Sequence, residues 1–120
     1  MATFKKFDDI LAWQKARHST RLVYQETAKG DFSKDYDLRS QIRRASISIM
    51  ANIAEGFGRH SDKEFANFIN IAHGSATEVQ SHLYVALDLG YIEKENFAQL
   101  YDLMCEICRM LYALGQKLRS

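Results

Sequence analysis

The 120-residue sequence contains no proline, only two cysteines and no long apolar run. Because proline is the main breaker of long helices, its absence leaves every segment free to be helical. A bilayer-spanning helix needs about 20 apolar residues, so we expect no membrane association. No apolar run follows Lys5 and Lys6, which argues against a signal peptide. With so few cysteines available for disulfides, we expect a reduced, cytoplasmic protein.

The charge of the chain is small but unevenly distributed. The net charge is +1 in a composition that is 47% hydrophobic and 26% charged, which is typical of a globular domain. Residues 1–63 hold twelve Lys and Arg against eight Asp and Glu, whereas residues 64–120 hold four against seven. This asymmetry predicts either a basic face and an acidic face on one domain or ordinary solvated helix faces of mixed charge.

Apolar residues recur at spacings of three and four along four segments, which indicates amphipathic helices. Short links between long helices make neighbours antiparallel. We therefore predict an all-α protein, an antiparallel up-and-down four-helix bundle that forms a single domain over residues 1–120. The predicted helices cover about 9–29, 36–57, 62–89 and 94–118.

Several residues mark the expected helix ends. Asp8 or Asp9 is expected to cap the first helix, and Gly30 is expected to end it. Phe32, in the following loop, is expected to cover one end of the bundle. Ser61 and Glu64 match a capping box at the start of the third helix.

The fourth helix has more apolar residues than one core-facing stripe requires. Five further residues flank the stripe: Tyr101, Leu103, Cys108, Met110 and Tyr112. They either widen the core or form a second apolar face that is buried against another subunit. Because soluble monomers seldom expose large apolar patches, we favour the second interpretation.

Polar residues form a stripe beside the apolar one on the second helix and have counterparts on the third. We predict an interhelical polar network, with Asn52 and Glu78 mostly buried and hydrogen-bonded between the second and third helices. A structural role is favoured over a catalytic one. The network consists of Gln41, Arg44, Ser48, Asn52, Glu55, Ser75 and Glu78.

No set of residues matches a catalytic, phosphate-loop or metal-binding motif. We therefore predict no enzymatic activity, no catalytic residue, no cofactor and no metal. Cys105 and Cys108 lie in a strongly periodic helix without a second cysteine pair, which predicts two core thiols instead of a zinc site.

Arginines are the candidate residues for nucleic-acid binding. Members of a pair four residues apart share one face of a helix, and clustered arginines can neutralise phosphates. A solvated helix face is the alternative interpretation. The candidates are Arg17, Arg21, Arg39, Arg43 and Arg59.

Two segments of the chain resemble a known family. Asn52-Ile53-Ala54-Glu55-Gly56, preceded by Ser40-Gln41-Ile42-Arg43-Arg44, resembles a signature of the 23S rRNA intervening-sequence proteins, as does Gly74-Ser75-x-x-Glu78. The resemblance implies a left-handed four-helix bundle that assembles into a homopentamer. A similar protein, the accessory variability determinant of diversity-generating retroelements, binds nucleic acid and a reverse transcriptase. The resemblance therefore implies self-association, RNA or RNA/DNA binding, and a reverse transcriptase or another protein as a partner.

These observations lead to one hypothesis and two alternatives. The leading hypothesis is a non-enzymatic, homo-oligomeric bundle that binds structured RNA or RNA/DNA through arginines of its first two helices. The first alternative is a protein-interaction module that binds no nucleic acid. The second is an enzyme that uses Asn52, Glu55 and Glu78.

Overall fold

The computed structural model describes residues 4–120, which form α-helices joined by short turns. The elements are α1 (Leu11–Thr27), α2 (Tyr36–Gly58), α3 (Asp62–Asp88) and α4 (Lys94–Arg119), with 3-10 turns at Phe7–Asp9 and Gly30–Lys34. No strand is present within these residues. The predicted all-α four-helix bundle is confirmed. Over the same residues, no helix combines the length and the apolar character needed to cross a membrane.

The helices pack side by side into a rod of 45 × 20 × 19 Å. Each helix contacts the next one along the chain, and α1 also contacts α4, which closes the bundle. The chain reverses direction at each short link, so neighbouring helices are antiparallel. The core side chains that are almost fully buried include Val23, Ile42, Ile49, Ile53, Ile69, Leu83, Met104, Ile107 and Leu111.

The first helix begins later than predicted, because its expected cap is used elsewhere. The carboxylate of Asp9 accepts hydrogen bonds from the backbone N–H groups of Lys5 at 3.1 Å and Lys6 at 3.0 Å. It therefore stabilises the preceding 3-10 turn, and Ile10 precedes α1 without a side-chain cap. Gly30 does not end α1 either. With a positive φ of 46°, it begins the next 3-10 turn.

A hydrogen bond joins two turns at one end of the bundle. Phe32 is buried there, as expected, and its ring stacks on Tyr91 with a centroid distance of 5.4 Å. The Tyr91 hydroxyl donates to Asp35 Oδ2 at 3.0 Å, while Asp35 Oδ1 accepts from the N–H of Leu38 and caps α2. The hydrogen bond to this carboxylate raises the pKa of Tyr91. One aspartate therefore ties the start of α2 to the α3–α4 turn.

Only half of the predicted capping box forms at the start of α3. The Ser61 hydroxyl accepts a hydrogen bond from the N–H of Glu64 at 3.3 Å. Within residues 4–120, the Glu64 carboxylate accepts no hydrogen bond from the backbone N–H of Ser61. The serine is thus the cap, and the glutamate contributes a negative charge to the first turn of the helix.

The residues that flank the apolar stripe of α4 mostly widen the core. Tyr101, Leu103, Cys108 and Met110 are half-buried against it. Tyr112 is different, with 64% of its surface exposed. Four of the five residues therefore contribute to the core, and a second apolar face on α4 that is buried against another subunit stays a prediction.

The helices α2 and α3 approach each other closely at Gly56, which is buried. A Cβ atom placed on Gly56 would lie 2.6 Å from Phe68 Cβ and 3.0 Å from Phe65 Cδ1. Such distances are shorter than van der Waals contact, so only glycine allows the two helices to pack this closely.

We predict that Gly56→Ala destabilises the fold by about 1–3 kcal/mol, because the added methyl group overpacks the α2–α3 contact. Gly58→Ala is the matched control, since a Cβ at this helical glycine meets nothing within 4 Å. The control should be neutral or stabilising by less than about 1 kcal/mol. Urea unfolding measures both variants, and equal stabilities would contradict the close approach.

Candidate nucleic-acid interface

Two neighbouring helices contain long segments without acidic residues. Residues 10–25 comprise Ile10 and most of α1. They include Lys15, Arg17 and Arg21 but no Asp or Glu. Residues 38–54 of α2 hold Arg39, Arg43 and Arg44, and again no acidic residue. Because α1 and α2 pack against each other, the surface along their contact is locally positive, although the net charge of the chain is small.

Arg43 lies across the contact between the two helices. Its Nε donates to Thr27 Oγ1 at 2.8 Å, and its guanidinium carbon lies 4.3 Å from the centroid of the Tyr24 ring. Both partners belong to α1. Tyr24 follows Arg17 and Arg21 at spacings of seven and three residues, so all three side chains share one face of α1. We call the surface formed by Arg17, Arg21, Arg39 and Arg43 the arginine seam.

Arg39 is held at one end of the seam in a similar way. Its Nη1 donates to the backbone carbonyl of Ser33 at 2.7 Å, and its guanidinium carbon lies 4.7 Å from the centroid of the Tyr36 ring. A guanidinium has five N–H donors, and one is used here and one in Arg43. The remaining donors can bind phosphate oxygens, and stacking on tyrosine reduces the conformational entropy lost on binding.

Arg17 and Arg21 are exposed and carry unneutralised charge. The Arg17 guanidinium carbon lies 5.9 Å from the centroid of the Trp13 ring, and Arg21 Nη2 lies 3.2 Å from His18 Nδ1. Among residues 4–120, neither arginine forms an ion pair with a carboxylate. Lys15 does, with Glu106 of α4 at 3.4 Å, so it belongs to the other side of α1.

Arg59 lies apart from the other four candidate arginines. It pairs with Glu55 one helical turn earlier, with Nη2 2.9 Å from Oε2, and its guanidinium carbon lies 5.1 Å from the ring centroid of Phe68 on α3. The contact with α3 places Arg59 on the side of α2 opposite the α1 contact. Its charge is offset by Glu55, so we exclude it from the arginine seam.

Three of the seven predicted network residues meet at the α2–α3 contact. The hydroxyl groups of Ser48 and Ser75 are 2.8 Å apart and share a hydrogen bond between the helices. Asn52 Nδ2 donates to the hydroxyl of Ser48 at 3.0 Å and to its carbonyl at 2.8 Å. Ser75 is buried, whereas Ser48 and Asn52 are half-buried. Only the Ser48–Ser75 bond crosses the contact and helps to set the register of α2 against α3. Both Asn52 bonds stay within α2, so the prediction that Asn52 is hydrogen-bonded between the helices is wrong.

The other four predicted members do not join the trio. Glu78 is 53% exposed and pairs with His82 of its own helix at 3.1 Å, so the prediction that it is buried between helices is wrong. Glu55 likewise pairs with Arg59 in its own helix. Gln41 and Arg44 are exposed and make no side-chain hydrogen bond within residues 4–120. Each of the two glutamates therefore pairs with a residue four positions away on its own helix instead of with a residue of the facing helix.

The two cysteines are free and half-buried. Gln80 Nε2 donates to Cys105 Sγ at 3.2 Å, and burial raises the pKa of the Cys108 thiol. A raised pKa favours the protonated thiol, which is a poor nucleophile and metal ligand. Over the described part of the chain, no group of three or more His, Cys, Asp or Glu side chains is arranged to hold a metal ion.

The 23S rRNA-intervening sequence protein family matches residues 8–113, which include both helices of the seam and the α2–α3 contact. The chain belongs to this family. It is also similar to the crystal structure of a protein of unknown function from the S23 ribosomal protein family of Bacteroides thetaiotaomicron. That structure superposes with a TM-score of 0.80 at 26% identity and covers 88% of this chain and 96% of its own. No curated protein matches the chain.

Part of the family signature of this intervening-sequence protein coincides with the α2–α3 contact. Asn52 and Gly56 belong to the first signature segment, and Ser75 belongs to the second. Here they supply the hydrogen-bonded trio and the close approach of the helices. Packing therefore explains these three signature residues, whereas Arg43, which the first signature segment also includes, contacts α1 and belongs to the arginine seam.

We predict that the shared hydrogen bond between Ser48 and Ser75 couples the two residues energetically. In a double-mutant cycle of Ser48→Ala and Ser75→Ala, each single change leaves a hydroxyl without its partner. The coupling energy should be about 0.5–1.5 kcal/mol by urea unfolding. Glu78→Gln is the control and should change stability by less than about 0.5 kcal/mol, because its pair with His82 is exposed. Additive serine substitutions would contradict the coupling.

Proposed function

We propose that this intervening-sequence protein is a non-enzymatic, homo-oligomeric bundle that binds structured RNA or RNA/DNA through the arginine seam. The observation that carries the proposal is the meeting of two acid-free helix segments at which Arg43 of α2 stacks on Tyr24 of α1. Arginines held by tyrosine rings present their remaining donors in a fixed geometry, which suits the recognition of phosphate oxygens.

The size of the seam suits a nucleic-acid backbone. The acid-free part of α1 spans 15 residues, from 11 to 25, which corresponds to about 22 Å of helix. Successive phosphates of one strand rise by roughly 3.4 Å, so about seven phosphates fit along this length. Contacts of this kind carry little sequence information, so the seam is expected to recognise the backbone of many sequences.

The proposal includes no reaction and invokes no cofactor or metal. An acid–base mechanism would need a carboxylate free to exchange a proton with a substrate. Glu55 and Glu78 each pair with a cation or histidine in their own helix, and Asn52 is occupied by Ser48. These contacts support a structural role for the three residues.

Self-association through α3 is the second part of the proposal. Residues 65–87 contain one acidic residue, Glu78, and no Lys or Arg, although Ile71 is 51% and Val85 is 42% exposed. Depletion of charge around exposed apolar residues is typical of the centre of a protein interface. We propose that the outward face of α3 joins copies of the chain into a closed ring of five, which repeats the arginine seam around the axis.

We predict that duplex RNA binds with an affinity that falls about a hundredfold between roughly 50 mM and 200 mM salt, as expected for about four phosphate contacts. Arg17→Glu/Arg21→Glu should weaken binding and reduce the slope of log K against log salt by about 2 for each seam in contact. Fluorescence anisotropy with a labelled hairpin measures both quantities.

The control for this experiment is Arg109→Glu/Lys117→Glu, which makes the same change of charge on exposed positions of α4. It should leave the slope unchanged apart from long-range effects. If the two double variants behave alike, the seam is not the binding surface. If wild-type protein binds no RNA even at low salt, the chain is instead a module for a protein partner such as a reverse transcriptase.

We predict that light scattering returns a multiple of the 13.8 kDa chain mass, with five as the expected multiple. Ile71→Lys should lower this mass, since it places a charge on the proposed interface. Tyr112→Lys, at a more exposed position of α4, should not. A wild-type mass of one chain at micromolar concentration would contradict self-association.

A further inference from the structure

A polar pocket of about 480 Å³ adjoins the arginine seam at the start of α1. Its volume falls within the range of small-molecule sites and is far too small for a duplex. Six residues line it: Asp8, Trp13, Gln14, Arg17, His18 and Arg21. The pocket shares Arg17 and Arg21 with the seam but adds an aromatic ring and hydrogen-bond acceptors, which phosphate binding alone does not require.

Trp13 supplies a surface on which a nucleobase can stack. The ring is half-buried, and its contact with Phe7 at a centroid distance of 5.0 Å and an angle of 74° fixes its orientation. The Arg17 guanidinium lies 5.9 Å from the same ring. Indole rings and guanidinium planes are the two protein surfaces on which unpaired bases stack.

The cationic side of the pocket suits the phosphate of the same nucleotide. Arg21 Nη2 lies 3.2 Å from His18 Nδ1. Because a guanidinium can only donate, Nδ1 is the acceptor, which leaves the N–H of the neutral ring on Nε2 as a further donor. Arg17, Arg21 and His18 together offer several N–H groups to one phosphate.

The remaining residues provide acceptors for a base edge. Gln14 Nε2 donates to the backbone carbonyl of Asp8 at 2.8 Å, so the amide is held and its oxygen remains an acceptor. Among residues 4–120, the Asp8 carboxylate makes no hydrogen bond. Guanine presents two adjacent N–H donors, N1–H and N2–H, on its Watson–Crick edge, whereas adenine presents an acceptor there beside its amino group. A carboxylate therefore accepts two bonds from guanine and repels adenine N1.

We infer that this pocket binds an unpaired guanine nucleotide, with the base stacked on Trp13, its Watson–Crick edge on Asp8 and its phosphate on Arg17, His18 and Arg21. The inference rests on the proposed function, because the natural source of the nucleotide would be an unpaired guanine in the bound RNA. A free guanosine nucleotide has the same chemistry and is the other source that the experiment must distinguish.

The test uses the emission of Trp13, which is the only tryptophan of the chain. Guanosine 5′-monophosphate should quench this emission in a saturable manner and bind at least about tenfold more tightly than adenosine 5′-monophosphate, which corresponds to one well-formed bidentate contact. Calorimetry gives the same affinities without depending on fluorescence. Unchanged emission, or equal affinity for the two nucleotides, would overturn the inference.

Two variants and one control separate base recognition from folding. Asp8→Asn replaces an acceptor oxygen by a donor and should abolish the preference for guanosine 5′-monophosphate. Asp37→Asn, at an equally exposed carboxylate in the first turn of α2, should preserve it. Trp13→Phe should lower the affinity for both nucleotides by a similar factor in calorimetry, since it reduces stacking without changing the contacts of the base edge. A preference that survives Asp8→Asn would overturn the assignment of Asp8.

Hairpins with a single guanine or a single adenine in an otherwise uridine loop distinguish the two sources. Tighter binding of the guanine hairpin, with quenching of Trp13, supports recognition of a base in RNA. Binding of both hairpins with equal affinity and unchanged emission overturns the pocket while the arginine seam stands. Quenching by the free nucleotide without binding of either hairpin overturns the proposed function instead and leaves a site for a free nucleotide.

Discussion

The close approach of α2 and α3 is the constraint on which the rest of the structure depends. At Gly56 there is no room for a Cβ beside Phe68, and eight residues earlier Ser48 shares a hydrogen bond with Ser75 across the same contact. A steric contact and a directional one together set the separation and the register of the two helices. Because Arg43 lies on the other side of α2, the α3 contact also determines where this arginine meets α1.

The small net charge is compatible with a strongly basic seam because the acidic residues of the first half lie near the ends of the helices. Asp35 is bonded to Tyr91, Glu26 lies 2.6 Å from Lys29, and Glu55 pairs with Arg59. These three acids are thus engaged locally at an end of the bundle. The middle of the α1–α2 contact retains its positive charge, which decays over about 8–10 Å at physiological salt and acts on a polyanion at close range.

Helical periodicity was sufficient to predict the fold and insufficient to predict the partners of polar side chains. The apolar stripes of α2, α3 and α4 fix which face is buried, so the architecture follows from spacing alone. Spacing also places Ser48, Asn52 and Glu55 on one face of α2. It cannot decide whether each bonds across the bundle or within its own helix, because a partner four residues away satisfies the same periodicity, as in Glu55–Arg59.

The predicted Asp9 cap of α1 was wrong for a related reason, since the backbone N–H groups of Lys5 and Lys6 compete for its carboxylate. The stacking of Arg43 on Tyr24 depends on the axial register of α1 against α2, which no single helix encodes.

In the proposed mode of binding, the seam and the pocket would divide recognition into two physically different tasks. Phosphate contacts along Arg39 and Arg43 would supply affinity and orientation without reading sequence, whereas a base edge can be read only by groups with a defined pattern of donors and acceptors. Arg17 and Arg21 belong to both surfaces, so a strand positioned by the seam would reach the pocket without further movement of the protein. The base itself must be unstacked before it can lie on the ring of Trp13, so the proposed pocket would select unpaired nucleotides. A helix of a simple bundle can therefore combine broad binding to a backbone with selection of a loop, provided that one of its ends carries an aromatic ring and an acceptor beside the arginines.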